Sequence, residues 1–96
     1  MRTLEWTDRA LADLDRLDNF LFAKSPRAAE AAVATILAAA EDLRAFPGVG
    51  RPLADEAVEY RELVIPFSDG GYVLLYRVLD ALVEVQAIRH MREAGY

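Results

Sequence analysis

The sequence predicts an α+β fold in which a helical hairpin packs on one face of a mainly antiparallel, four-stranded sheet. Two consecutive segments with apolar residues at helical spacing come first, and three segments rich in Val, Leu and Tyr follow, separated by short turn signals. The predicted order is β-α-α-β-β-β with a short C-terminal tail. We expect residues 1–96 to form a single domain, because a chain of 96 residues can bury one modest core.

The first half of the chain predicts one short strand and two helices. Residues 2–6 are the strand, and Thr7 is a favourable N-cap for a helix over residues 8–22. Apolar residues occur on more than one face of this helix, so it offers more apolar surface than the ~100° stripe of an ordinary surface helix. Ser25 and Pro26 are typical of a helix start, and an alanine-rich helix should run over residues 26–44.

Three further strands are predicted over residues 60–65, 72–78 and 82–88, where β-branched, leucine and tyrosine residues are frequent. Only short turns at residues 68–71 and 79–81 separate these strands, so they should form an antiparallel meander. The residues that follow the last strand are predicted to form the tail.

A segment rich in proline and glycine, residues 46–52, ends the second helix, and a polar loop over residues 54–59 follows it. Gly48 and Gly50 are expected to be turn residues. They do not make a phosphate-binding loop, because prolines flank them and no Lys-Ser or Lys-Thr pair follows.

Composition excludes several kinds of site. The chain has no cysteine, which excludes disulfides, thiolate metal sites and a cysteine nucleophile. Asp15 and Asp18 share one side of the first helix, but two carboxylates alone are typical of a solvated surface, and neither a metal nor a cofactor is expected. The sequence has no signal-peptide pattern and no apolar run of the ~20 residues that a membrane helix needs, so we expect a cytoplasmic protein that does not enter the membrane.

The charge of the chain disfavours direct binding of DNA or RNA. Its formal net charge is −5, whereas proteins that bind nucleic acids usually carry a basic surface, since contacts with phosphates supply much of their affinity. The sequence allows one local exception, a set of arginines in the second half of the chain: Arg61, Arg77, Arg89 and Arg92.

Several short motifs follow one another in a fixed order along the whole chain. They are Trp6 and Ala10 with Asp13-Leu14, Ser25-Pro26 with Ala28-Ala29, Phe46-Pro47-Gly48-Val49-Gly50-Arg51-Pro52, Tyr60-Arg61-Glu62-Leu63, Tyr72-Val73-Leu74-Leu75-Tyr76-Arg77-Val78 and Ala87-Ile88-Arg89-His90. In this order and spacing they resemble the RelE/ParE superfamily of bacterial type II toxins. The resemblance implies a toxin that an antitoxin, encoded beside it, holds inactive.

The superfamily contains two activities. RelE-like members are ribosome-dependent endoribonucleases that cut messenger RNA, whereas ParE-like members are not nucleases and poison DNA gyrase. RelE-like sequences resemble one another in carrying an arginine directly after the aromatic residue that begins the middle strand, where this chain has Val73. They also tend to carry basic residues and a tyrosine or histidine just past the last strand; here that region holds His90, Arg92 and Tyr96, but Glu93 is acidic. ParE-like sequences end the middle strand in Tyr-Arg-Val, as residues 76–78 do. We therefore expect a ParE-like gyrase inhibitor; a RelE-like nuclease and a toxin with another target are the alternatives.

The candidate site residues lie in the last two strands and the tail, with one exception. Under the ParE-like interpretation no residue is catalytic, and the residues expected to bind the target are Arg77, His90, Arg92 and Tyr96. Under the nuclease interpretation the catalytic candidates are the same four together with Arg61, since RNA cleavage needs a general acid, a general base and cations near the phosphate.

Each of these residues also has a purely structural interpretation. For Arg77 it is an ion pair with Glu62 or Glu84 on a flanking strand, and an internal ion pair is the equivalent for Arg61. For His90 it is a hydrogen bond that fixes the tail. For Tyr96, the last residue, it is packing of the ring on the sheet or on an antitoxin.

The wide apolar surface of the first helix predicts a binding groove for the antitoxin. The resemblance implies a ParD-like partner with a ribbon-helix-helix N-terminus and a disordered tail, and such tails fold as amphipathic helices into apolar grooves. The candidate contacts are Leu11, Leu14, Phe20, Phe22 and Leu37, although burial in the core would equally explain each of them.

Overall fold

The computed structural model describes residues 1–53 and 59–96, which form a helical layer on a sheet. Most of the loop predicted over residues 54–59 therefore lies outside the described residues. In chain order the elements are β1 Thr3–Trp6, α1 Asp8–Phe22, α2 Pro26–Asp42, β2 Arg51–Pro52, β3 Glu59–Phe67, β4 Gly70–Val78 and β5 Leu82–His90. The predicted α+β order is confirmed, with one short strand added.

Side-chain caps fix the start of both helices. Thr7 Oγ1 accepts the amide hydrogen of Ala10 at 3.1 Å, and Ser25 Oγ accepts that of Ala28 at 3.2 Å. Each cap satisfies an amide that has no partner within the helix. The second helix ends two residues before the predicted position, because the amides of Leu43 and Arg44 bond to carbonyls three residues back and tighten the chain into a turn.

The sheet contains five strands in the order β1-β5-β4-β3-β2. Only β1 runs parallel to its neighbour, β5, and the other pairs are antiparallel, as predicted for most of the sheet. The strand that the sequence did not predict is β2, which pairs through two residues with Arg61 and Glu62 of β3. A two-residue strand ending in Pro52 gives no alternation pattern, and proline cannot donate to a ladder.

Two strands extend beyond their predicted ends. The third strand continues through Pro66 to Phe67, which is possible because β2 pairs only with the start of β3 and the rest of that edge is open. The fifth strand continues to His90, opposite Tyr72 of β4. Gly71, which lies at the start of β4, has φ of 154°, and a Cβ there would collide with the backbone of Ile65.

The core lies between the helices and one face of the sheet. Its fully buried large side chains include Tyr76 and Leu74 of β4, Ile88 of β5 and Ile36 of α2. The helices contribute mainly small side chains, and their buried alanines allow the helices and the sheet to approach closely: Ala10, Ala29, Ala32 and Ala40.

No helix of residues 1–53 or 59–96 covers the opposite side of the sheet, and we call that side the open face. Because side chains alternate along a strand, and because Tyr72, Leu74 and Tyr76 of β4 face the core, the intervening residues of β4 face the other way. Strand register adds their neighbours on β3 and β5. The open face thus consists of Tyr60, Glu62, Val64, Val73, Leu75, Arg77, Glu84, Ala87 and Arg89.

Candidate functional site

Arg77 forms an ion pair within the sheet. Its Nη2 donates to Oε1 of Glu84 at 2.7 Å across the β4–β5 ladder. Both side chains are partly buried, with exposed fractions of 29% and 22%. Of the two carboxylates considered from the sequence, Glu84 is therefore the partner, and the charge of Arg77 is compensated on the open face.

Arg61 lies on the other side of the sheet, opposite Tyr76 in the β3–β4 register. Its Nη1 donates to the carbonyl oxygens of Gly48 at 3.0 Å and Gly50 at 2.6 Å, and its Nε pairs with Glu59. Through these bonds Arg61 holds the loop that follows α2. Arg61 and Arg77 consequently point to opposite faces of the sheet.

The same loop is fixed from the core by Tyr76. The buried hydroxyl of Tyr76 donates to the carbonyl oxygen of Pro47 at 2.7 Å and accepts the amide hydrogen of Gly50 at 2.9 Å. A Cβ on Gly50 would lie 2.5 Å from this hydroxyl and 2.8 Å from the carbonyl oxygen of Glu62, so only glycine fits. Gly48 and Gly50 are turn residues, as predicted, and the loop that they form leaves Phe46 and Val49 exposed.

His90 ends β5 and organises the chain that follows it. Its Nδ1 accepts the amide hydrogen of Arg92 at 3.1 Å, and its backbone amide donates to Oε1 of Glu93 at 2.8 Å. The imidazole also meets the ring of Tyr72 edge to face, with centroids 5.5 Å apart. The structure therefore contains the kind of hydrogen bond that the structural interpretation of His90 predicted, one that fixes the tail.

Tyr96 reaches back over the open face. Its hydroxyl donates to Oε2 of Glu62 on β3 at 2.7 Å, and its ring centroid lies 5.3 Å from Cζ of Arg89 on β5. Nη1 of Arg89 in turn donates to three carbonyl oxygens of the chain end, those of His90, Met91 and Glu93, at 3.3–3.4 Å. From the sequence, Arg89 was named only as one of four arginines in the second half of the chain and not as a candidate site residue.

Glu62 receives two hydrogen bonds at the edge of the open face, from the Tyr96 hydroxyl and from Nη2 of Arg51 at 2.8 Å. Burial acts to raise the pKa of Glu62, but these hydrogen bonds and the charges of Arg51 and Arg89 outweigh it, so the pKa lies below its usual value. Burial, followed by the contact with Glu62, raises the pKa of the Tyr96 hydroxyl. At neutral pH the pair is therefore a carboxylate and a neutral phenol.

Residues of α1 cover the edge of β5 beyond the point where β1 ends. Oδ2 of Asp13 accepts the amide hydrogen of Ile88 at 3.0 Å, and Nη1 of Arg16 pairs with Oε2 of Glu93 at 2.9 Å. Burial acts to raise the pKa of Glu93, but the His90 amide and Arg16 lower it further than burial raises it. The polar face of α1 thus joins the helix to both the sheet edge and the tail.

The predicted antitoxin contacts divide into two groups on α1. At 100° per residue, Leu11 and Phe22 lie on one side of the helix and Phe20 on the opposite side. Phe20 follows Arg16 by one turn, so it lies on the side of the β5 edge. Nζ of Lys24 lies 4.4 Å from the centroid of the Phe20 ring. Phe20 and Phe22 are 64% and 57% exposed, Leu11 and Leu37 are also exposed, and Leu14 is partly buried against the core.

The described residues contain neither a metal site nor a membrane-spanning helix. In residues 1–53 and 59–96, no three His, Asp or Glu side chains lie close enough to hold a metal ion. Neither helix in this described part of the chain has the length and apolar content needed to cross a membrane.

Comparison with known proteins places the chain in a family. A model of the family described as "ParE toxin of type II toxin-antitoxin system, parDE" matches residues 4–95. The chain is 38% identical over 93 residues to toxin RelE3 of Caulobacter vibrioides, which covers 97% of this chain and 98% of that protein. It is 39% identical over 90 residues to toxin RelE2 of the same organism, covering 94% of this chain and 96% of that one.

A solved structure shares the fold over nearly the full length. It is a chain described as "Chromosomal ParDE TA system from P. aeruginosa", with a TM-score of 0.76 and 28% sequence identity, covering 94% of this chain and 96% of that chain. Fold and comparisons together define a toxin of the RelE/ParE superfamily. The chain belongs to the ParE toxin family, and it is the toxin of a ParDE-like type II system.

Proposed function

We propose that this toxin acts as a ParE-like inhibitor of DNA gyrase, through protein–protein contacts and without an active site of its own. In this proposal residues 1–96 are a single domain that works in the cytoplasm. The observation that carries the proposal is that the side chains a nuclease would use are separated and individually engaged. Arg61 binds loop carbonyls on the core side of the sheet, whereas Arg77 is paired with Glu84 on the open face.

Two of the remaining nuclease candidates, His90 and Tyr96, are also engaged in hydrogen bonds within the toxin. RNA cleavage needs a group that removes the proton of the 2′-hydroxyl and another that protonates the leaving oxygen. The Nδ1 of His90 accepts a backbone hydrogen bond from Arg92. The Tyr96 hydroxyl, whose pKa is raised, is bound to a carboxylate and stays protonated. This arrangement favours binding over cutting.

The proposed target surface consists of the tail, the end of β5 at His90 and the adjoining open face, with Arg77, His90, Arg92 and Tyr96 as its candidates. Arg92 and Tyr96 are exposed and are proposed to touch the target directly. His90 and Arg77 support them, since both are engaged in bonds within the toxin.

Purified toxin in a supercoiling assay with purified gyrase tests the proposal. We expect the toxin to block supercoiling or to trap the cleaved DNA complex, and Arg92→Glu to weaken the effect. Arg27→Glu is the matched control, because Arg27 is an exposed arginine at the start of α2. Unchanged supercoiling at a large molar excess of folded toxin would contradict the proposal.

The antitoxin is proposed to be ParD-like, with a ribbon-helix-helix N-terminus and a tail that folds on the toxin as a helix. Its proposed contacts are the apolar residues Leu11, Leu14, Phe20, Phe22 and Leu37. The support for such a surface is that four of these five side chains are exposed in the free toxin.

A RelE-like, ribosome-dependent nuclease is the second candidate, because the two Caulobacter relatives bear the name RelE. In that case induction of the toxin should produce cuts in translated messenger RNA, and His90→Ala or Arg77→Ala should abolish them. Intact messages in arrested cells would leave the gyrase proposal as the better one.

A further inference from the structure

The C-terminal tail, residues 91–96, returns across the open face instead of leaving the domain. It begins at the end of β5, and its last residue contacts Glu62 on β3. Strand β4 lies between β5 and β3. Tyr96 therefore spans the central strand, from Arg89 on one side to Glu62 on the other.

The side chains beneath this crossing are apolar; Val73 is buried and Leu75 is partly buried. In the sheet register Arg89 is opposite Val73, and Glu62 is opposite Leu75, so both residues of β4 lie between the two points that Tyr96 touches. Val73 is only 5% exposed, whereas its neighbour Val64, on the same face but on β3, is 56% exposed. The open face thus has an apolar centre that is shielded from solvent.

Residues 91–93 are anchored by several bonds, including those of Glu93 to Arg16 and to the His90 amide, whereas residues 94–96 are held by few contacts, and these are mostly polar. Tyr96 itself remains 42% exposed and is held by one hydroxyl bond and one contact with a guanidinium. The acceptor, Glu62, is shared with Arg51 of β2. Segments held by a few exposed polar contacts open at low free energy, well before the domain unfolds.

We propose that the end of the tail is a latched strap: when closed, the Tyr96–Glu62 bond holds residues 94–96 over Val73 and Leu75, and when open the strap exposes that apolar strip and frees residues 94–96. The latch sets the fraction of open toxin. Target binding requires the open form, so loosening the latch strengthens inhibition; this last step rests on the proposed function.

Cysteine labelling measures the opening directly, because the chain has no cysteine of its own. A single Val73→Cys variant places a thiol beneath the strap, and a small maleimide reports its access. Adding Tyr96→Phe removes the latch hydroxyl but keeps the ring. We expect labelling of the thiol to accelerate about fivefold to tenfold, as expected for the loss of one solvent-exposed hydrogen bond.

Val64→Cys is the matched control, since Val64 lies on the same face and is already exposed. Its labelling should be equally fast with and without the Tyr96→Phe substitution. Equal labelling of Val73→Cys in both backgrounds, with circular dichroism showing folded protein, would overturn the strap. A chain that ends at Gly95 is a stronger variant and should label at least as fast as Tyr96→Phe.

Inhibition of gyrase by the cysteine-free Tyr96→Phe variant tests the regulatory step. Stronger inhibition than that of the unmodified toxin supports it, and equal or weaker inhibition overturns it. If no variant inhibits gyrase, the proposed function fails, while the labelling experiment still decides whether the strap exists.

Discussion

Single residues in this toxin act mainly by fixing a neighbouring segment. Tyr76 and Arg61 hold the loop after α2 through its carbonyl groups, and Arg89 does the same for the tail. Sequence alone indicated that an arginine within an apolar strand needs a partner, and Glu84 is that partner for Arg77. It could not indicate that Arg61 binds backbone carbonyls, because these come from a loop that is distant in sequence.

At the residue scale, Gly50→Ala should destabilise the fold. The new methyl group would lie 2.5 Å from the Tyr76 hydroxyl and 2.8 Å from the carbonyl oxygen of Glu62. Such overpacking costs about 1–3 kcal/mol of unfolding free energy. Urea denaturation measures the loss.

Gly48→Ala is the control for this substitution, because no described atom lies within 4 Å of the added methyl group. It should change the unfolding free energy by less than about 0.5 kcal/mol. Equal losses for the two variants would show that the close contact at Gly50 is not what constrains the loop.

At the scale of elements, α1 has three distinct sides. Its apolar side packs on the sheet, one polar side caps the edge of β5 through Asp13 and Arg16, and the side that carries Asp15 is exposed to solvent. The periodicity of the sequence identified the helix and its unusual apolar width. It did not assign a role to Asp13, because a carboxylate that accepts a strand amide leaves no pattern in the sequence.

Asp13→Ala should cost about 1–3 kcal/mol of unfolding free energy, since the amide of Ile88 would lose its acceptor in a partly buried place. Asp15→Ala is the matched control on the same helix, where the carboxylate is exposed and near Asn19. Chemical denaturation of both variants checks the difference, and hydrogen exchange should locate faster opening at Ile88 only in the first.

The two exposed phenylalanines of α1 should differ in antitoxin binding. Phe22 lies on the same side of the helix as Leu11, whereas Phe20 lies on the side of the β5 edge. A single antitoxin helix that contacts Leu11 and Phe22 cannot also cover the opposite side of α1. Phe22→Glu should therefore weaken binding at least tenfold in calorimetry.

Phe20→Glu provides the comparison for that experiment, because it introduces the same charge on the same helix. Because Phe20 is also a proposed contact but lies on the opposite side of α1 from Leu11 and Phe22, we expect Phe20→Glu to weaken binding less than Phe22→Glu does. A larger loss for Phe20→Glu than for Phe22→Glu would place the antitoxin on the edge side.

At the scale of the whole molecule, the order of elements and the layer architecture followed from the sequence, and the long-range connections did not. Helical spacing and short turns predicted the hairpin and the meander. The parallel pairing of β1 with β5, the short strand β2 and the path of the tail all depend on contacts between distant residues. A two-residue strand and a tyrosine at the chain end carry too little local pattern to reveal such contacts.

Acid should destabilise the toxin through two carboxylates. The pKa values of Glu62 and Glu93 are lowered in the folded protein. Their contribution is therefore complete above the unfolded pKa, about 4.3 for a glutamate, and is lost as the pH falls through the lower, folded values. The unfolding free energy should fall between about pH 5 and pH 3.

Glu62→Gln with Glu93→Gln should flatten this part of the pH profile, because neither amide titrates. Thermal unfolding measured at several pH values checks the slope. An identical slope in the double variant would assign the acid sensitivity to other carboxylates.

The position of β5 in the sheet has a consequence for how the toxin is made. Among the described strands it comes last in chain order, yet it lies between β1 and β4 and joins the first strand to the rest. Pairing of residues so far apart in sequence is costly in chain entropy and slow to form. A nascent chain that lacks residues 82–96 has no pairing partner for β1 and no strap, so the sheet is completed only after these residues have left the ribosome.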